Sequence, residues 1–72
     1  MGTMEVRHIM KTLKLLTKEQ QRALLVLYRR GPLGMSYLQF RRTARVDYLL
    51  DCLMVPWHGM LIGIERDGYT HS

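Results

Sequence analysis

Five arginines between positions 29 and 45, with no acidic residue among them, are the residues of this sequence best suited to binding chemistry. They are Arg29, Arg30, Arg41, Arg42 and Arg45. A guanidinium can donate two hydrogen bonds at once to phosphate oxygens or to a base edge, which an ammonium does not do. The arginines therefore predict a polyanion-binding patch. The simpler alternative is a solvated basic face that keeps a small protein soluble.

Catalytic and metal-binding patterns are weak in this sequence. The soft metal ligands His8, Cys52, His58 and His71 show neither C-x-x-C nor H-x-x-x-H spacing. The glycine-containing segment 31–34 lacks the lysine of a phosphate-binding loop. We therefore expect a protein that is not an enzyme and that uses no metal and no cofactor.

Length and charge limit the class of protein. The 72 residues suffice for one domain, and the net charge is +5. One cysteine cannot form an internal disulfide, and a protein without disulfides is typical of a reducing compartment. We therefore expect a cytoplasmic protein, which would be associated with the nucleoid or, in a eukaryote, would be nuclear. No apolar run approaches the roughly 18–20 residues that span a bilayer, so no membrane partner is expected.

The elements that must position the arginines begin with two predicted helices. Residues 1–16 are predicted to form an amphipathic N-terminal helix for packing or dimerisation, because apolar residues recur at helical spacing from Val6 to Leu16. A targeting peptide or a helix on a membrane surface is the weaker alternative for this segment. Thr17 then begins a second helix with a capping box to Gln20, and Gly31 ends it.

The apolar residues of segment 35–55 do not share one helical phase. Tyr37, Phe40 and Ala44 lie on one side of a single helix, whereas the apolar residues of 46–54 lie on the opposite side. Two helices, at about 36–42 and 44–55, remove the conflict. Ser36 and Thr43 are their predicted N-caps, and Pro56 ends the second helix.

The C-terminal residues predict a β-hairpin. Residues 60–65 are apolar enough for a strand, Arg66, Asp67 and Gly68 form a tight-turn signal, and Tyr69 and Thr70 begin the returning strand. The predicted fold class is mainly α with a small β-hairpin.

This order of elements, over residues 17–70, resembles the winged helix-turn-helix family of small bacterial, phage or archaeal transcription regulators. The resemblance implies that 17–72 is a winged helix-turn-helix domain with an extra N-terminal helix, that helix 44–55 enters the major groove of DNA, and that the wing around 60–70 touches the minor groove or the backbone. Carried over by position, the DNA-binding residues are Arg41, Arg42, Thr43, Arg45, Tyr48 and Arg66.

The resemblance implies a transcriptional regulator that binds duplex DNA, and a homodimer is its expected form. The alternative is a module that docks on another protein, for example in a phage or an assembly, through Leu25, Val26 and the N-terminal helix. Asp47 and Asp51 favour this alternative, because carboxylates on the exposed side of helix 44–55 would repel phosphate.

Overall fold

The computed structural model describes residues 16–31 and 34–72, which form two helices followed by a four-stranded antiparallel sheet. The elements are α1 (Lys18–Arg30), α2 (Tyr37–Thr43), β1 (Arg45–Asp47), β2 (Cys52–Trp57), β3 (Met60–Ile64) and β4 (Thr70–His71). The strands lie in the sheet in chain order, β1-β2-β3-β4. The protein is therefore a small α+β fold, and the prediction of a mainly α fold is wrong. Neither described helix is long and apolar enough to cross a membrane.

The N-terminal segment 1–16, predicted as an amphipathic helix, lies outside the described residues except for Leu16. The capping box of α1 is confirmed: Gln20 N donates to Thr17 Oγ1 and Thr17 N donates to Gln20 Oε1, each at 3.0 Å. The helix ends at Gly31 as predicted. A Cβ at Gly31 would lie 2.7 Å from Nε2 of His58, so a glycine lets the end of α1 approach the β2–β3 turn.

Helix α2 begins as its sequence predicts and ends in a different structure. Ser36 is its N-cap, and Ser36 and Gln39 form a second capping box. Thr43 does not cap a following helix. It is the last residue of α2, and its hydroxyl donates to the carbonyl oxygen of Phe40 at 2.7 Å.

The predicted helix 44–55 is wrong, because these residues form β1, a turn at 48–51 and most of β2. Two of the apolar residues that gave the segment its helical spacing, Leu49 and Leu50, are not core residues but lie exposed in the turn. Val46 and Leu53 face each other across the β1–β2 ladder. The apolar residues before and after 41–43 differ in helical phase because the chain changes there from helix to strand. The side chains of a helix repeat every 3.6 residues and those of a strand every 2.

One face of the sheet packs on both helices. Residues directly opposite in an antiparallel ladder share a face, and the pairs Leu53↔Ile64 and Val55↔Ile62 are buried in this way. Their core is completed by Leu16, Leu24 and Phe40. Trp57 also packs against this core, and its Nε1 donates to the carbonyl oxygen of Leu27 at 2.9 Å.

The turns between the later strands follow their residue types. His58 and Gly59 both have positive φ, 49° and 78°, as a two-residue hairpin turn of type I′ requires. Pro56 does not end a helix but lies in β2, past the last residue that pairs with β1, where no N–H donor is needed.

The C-terminal hairpin is confirmed. Strand β3 covers Met60–Ile64, Gly68 N donates to the carbonyl oxygen of Glu65 at 2.8 Å, and β4 returns at Thr70. Thr17 ties this hairpin to the start of α1, because its hydroxyl donates to the carbonyl oxygen of Arg66 at 2.6 Å.

Candidate nucleic-acid interface

Positive and negative charges lie in different halves of the structure. Residues 16–45, here called the basic half, comprise both helices and the first residue of β1. They carry seven Lys or Arg residues and one acidic residue, a formal charge of +6. Residues 46–72, here called the acidic half, comprise the rest of the sheet. They carry one Arg and four acidic residues, a formal charge of −3. The cations of the basic half are Lys18, Arg22, Arg29, Arg30, Arg41, Arg42 and Arg45.

These seven cations have no carboxylate partner within the described residues. The one ion pair in 16–31 and 34–72 joins Nε2 of His71 to Oε1 of Glu65 at 3.7 Å, within the acidic half. Because both helices pack on the same face of the sheet, six of these cations lie in one layer of the molecule, and the seventh, Arg45 on β1, reaches the end of α2. Such a layer attracts polyanions.

Helix α1 contributes a row of cations along its exposed side. Lys18, Arg22 and Arg29 are exposed and lie four and seven residues apart, which places them on one side of a helix. At 1.5 Å per residue the row extends over about 16 Å. Leu25 is half-buried and Val26 is 44% exposed, so the two residues named for the docking alternative lie among these cations.

Helix α2 carries a second group of cations at its C-terminus. Arg41 and Arg42 lie in its last turn, and Arg42 is exposed. Nη1 of Arg45 donates to the carbonyl oxygens of Arg42 at 2.6 Å and Ala44 at 3.0 Å. Arg45 therefore caps the negative end of the α2 dipole. The predicted helix 44–55 would have placed Arg45 at the start of a helix that enters the major groove. No helix follows Arg45, so it does not have that position.

The six predicted DNA-binding residues divide into two groups. Arg41, Arg42, Thr43 and Arg45 come together at the end of α2, although the Thr43 hydroxyl is engaged with Phe40. Tyr48 lies in the β1–β2 turn and Arg66 in the β3–β4 turn, both in the acidic half. These two line a cleft of about 140 Å³ together with Asp51 and Gln20. The structure therefore does not unite the six residues in one surface.

Lys18 and Arg22 belong to the basic half but were not among the predicted site residues. Their signal in the sequence is the excess of charge in residues 1–36, which hold seven Lys or Arg and two acidic residues. Arg29 and Arg30, which suit the helix dipole in the last turn of α1, are exposed beside them.

The carboxylates of the acidic half serve the turns of the sheet. Oδ1 of Asp47 accepts from the backbone N–H groups of Leu49 at 3.0 Å and Leu50 at 3.2 Å. Oδ1 of Asp67 accepts from Tyr69 N at 3.0 Å. Asp47 and Asp51 thus flank a β-turn and do not lie on a helix with the arginines. The repulsion of phosphate that the sequence suggested for a helix 44–55 therefore does not apply to the surface of α2.

Cys52 lies among these acidic residues and is buried, with 2% of its surface exposed. Burial raises the pKa of the Cys52 thiol, and the negative charges of Glu65, Asp47 and Asp51 raise this pKa further. The thiol is therefore held in its protonated form, which is a poor nucleophile.

No family model, curated protein or solved structure matches this chain. The likeness to the winged helix-turn-helix family therefore rests on the order of sequence elements alone, and one of those elements, the helix 44–55, is a β-hairpin. Function has to be argued from the surface itself.

Proposed function

We propose that this protein binds nucleic acid, with duplex DNA as the expected ligand, through the cations of its basic half. The observation that supports this proposal is the charge of +6 on the basic half, none of it paired with a carboxylate in the described residues. Each phosphate that such a cation neutralises releases condensed counterions, which is the main source of affinity for proteins of this kind.

The exposed cations favour contacts to the phosphate backbone over contacts to bases. Phosphate contacts position a protein on a duplex and carry no sequence information by themselves. Helix α2 is the element that could approach base edges, because Gln39 and Arg42 are exposed on it. A role in transcriptional regulation, a homodimer and a cytoplasmic location are further parts of this proposal. The free thiol of Cys52 suits a reducing compartment.

The experiment compares two arginines in one binding assay. Arg42 and Arg66 are both exposed, but Arg42 belongs to the basic half and Arg66 to the acidic half. Fluorescence anisotropy with a labelled duplex, repeated over a salt series, gives the affinity and the slope of log K against log salt concentration. Loss of one phosphate contact in Arg42→Ala should weaken binding and reduce the magnitude of this slope by about 1.

Arg66→Ala is the matched control and should leave both quantities nearly unchanged. The proposal fails if the unaltered protein shows no salt-dependent binding to the duplex. It also fails if Arg42→Ala and Arg66→Ala weaken binding equally.

The docking alternative has one supporting observation, the 44% exposure of Val26 between the cations of α1. A protein partner held through this residue would stay bound at salt concentrations that abolish phosphate contacts. Val26→Asp would remove such a partner without unfolding the domain.

A further inference from the structure

The turn between β1 and β2 exposes two adjacent leucines to an unusual degree. Leu49 is 96% exposed and Leu50 is 64% exposed. We call residues 48–51 the apolar turn. A cluster of exposed apolar side chains on a small protein commonly marks a contact surface.

The conformation of the apolar turn is fixed by its flanking residues. Asp47 accepts two backbone N–H groups through one carboxylate oxygen, at 3.0 and 3.2 Å, as in an Asx-type turn. Asp51 closes the turn with a positive φ of 52°. These contacts define the backbone of the turn, so both leucines are exposed in a fixed position where a partner could contact them.

The charge around the apolar turn restricts its partner. Asp47 and Asp51 flank the leucines directly, and the whole acidic half carries a formal charge of −3. A partner that fits is apolar and basic. Anionic lipid and nucleic acid do not have this character, because both would be repelled by the aspartates.

The chain enters the described structure at the same end of the molecule. Leu16 is buried, and Thr17 bonds to the backbone of Arg66 in the β3–β4 turn. Gln20, in the first turn of α1, lines one cleft with Tyr48, Asp51 and Arg66. The residues that precede Leu16 are therefore attached close to the apolar turn.

The sequence of residues 4–15 has the required character. It contains apolar residues at helical spacing, basic residues between them and one acid: Val6, Ile9, Met10 and Leu13; Arg7, Lys11 and Lys14; Glu5. Twelve residues measure about 18 Å even as a helix, which is ample reach to a turn at the same end of the molecule. The exposed side of α1, with Lys18, Arg22 and Arg29, would repel this segment.

We infer that residues 4–15 bind the apolar turn of the same chain, with their apolar side chains on Leu49 and Leu50 and their basic side chains near Asp47 and Asp51. This inference does not depend on nucleic-acid binding, because it concerns the acidic half of the molecule.

Cross-linking of the full-length chain tests the inference. Cys52→Ala removes the native thiol, and Leu13→Cys with Leu49→Cys then places one thiol on each side of the proposed contact. A short bis-maleimide at low protein concentration should join them within one molecule.

Leu13→Cys with Val26→Cys is the matched control, because Val26 is the exposed apolar residue of α1, and it should cross-link poorly. Equal or better cross-linking to position 26 overturns the inference. So do cross-links that join only separate molecules, which would identify a second copy as the occupant.

A second measurement avoids cysteine altogether. If Leu49 and Leu50 hold residues 4–15, Leu49→Ser with Leu50→Ser should increase the rate of trypsin cleavage after Lys11 and Lys14 several-fold. Leu38→Ser, a change at the exposed Leu38 of α2, should leave this rate unchanged. Equal cleavage rates in the unaltered protein and in the double variant contradict the inference, provided that circular dichroism shows both to be folded.

Discussion

Gln20 is a buried polar residue, 3% exposed, that joins the start of α1 to the sheet. Its Oε1 accepts from Thr17 N at 3.0 Å, and its Nε2 donates to the carbonyl oxygen of Ile64 at 3.1 Å. One side chain therefore completes the capping box and satisfies a buried carbonyl 44 residues away. Gln20→Ala removes both bonds.

The expected loss of stability has two parts. Loss of half a capping box costs about 0.3–1.5 kcal/mol. Loss of the bond to the Ile64 carbonyl, which keeps its place opposite Leu53 in the β2–β3 ladder, costs about 0.5–1.5 kcal/mol more. We therefore expect Gln20→Ala to lower the free energy of unfolding by about 1–3 kcal/mol, a large share of the 5–15 kcal/mol typical of a small domain.

Gln39 provides a matched control, because it has the same place in the capping box of α2. Its Oε1 accepts from Ser36 N at 3.0 Å, but the residue is exposed. Gln39→Ala should therefore cost only the capping part, about 0.3–1.5 kcal/mol. The difference between the two variants measures the buried contacts of Gln20, which include its bond to Ile64.

Urea and thermal unfolding followed by far-UV circular dichroism measure both variants. A loss of 1 kcal/mol lowers Tm by about 4–8 °C in a domain of this size, so Gln20→Ala should fall clearly below Gln39→Ala. If the two variants lose equal stability, the buried bond contributes nothing measurable and the reasoning is refuted.

Two further predictions concern the core and the thiol. Phe40→Ala should lower the free energy of unfolding by about 3–5 kcal/mol, because Phe40 is 1% exposed. Leu38→Ala, at a position 59% exposed on the same helix, should cost less than about 0.5 kcal/mol. Urea unfolding compares the two variants, and similar losses would contradict the assigned core. Because the pKa of Cys52 is raised, less thiolate is present near about pH 8. A disulfide reagent should therefore label the folded protein at least about tenfold more slowly than the urea-unfolded chain. Equal labelling rates would show that the thiol is accessible and has an ordinary pKa.

Local sequence signals predicted the starts of α1 and α2 and the last hairpin correctly, but not the end of α2, where Thr43 caps no further helix. The Thr17 and Ser36 capping boxes and the turn at 66–68 each depend on residues within four positions of one another, so the sequence alone specifies them. The segment 44–55 was different. Its apolar spacing fits a helix, and the spacing cannot show that Leu49 and Leu50 face solvent or that Val46 pairs with Leu53.

The arginines show the same division. The sequence by itself determined their number, their guanidinium chemistry and the absence of acid between positions 29 and 45. Only the tertiary structure decided their neighbours. It assigned Arg45 to the end of α2, placed Arg66 in the β3–β4 turn, and put Asp47 and Asp51 at the two ends of a β-turn and not on a helix. The physical reason is that charge interactions depend on distance in space, and that distance is set by strand pairing between residues far apart in the chain.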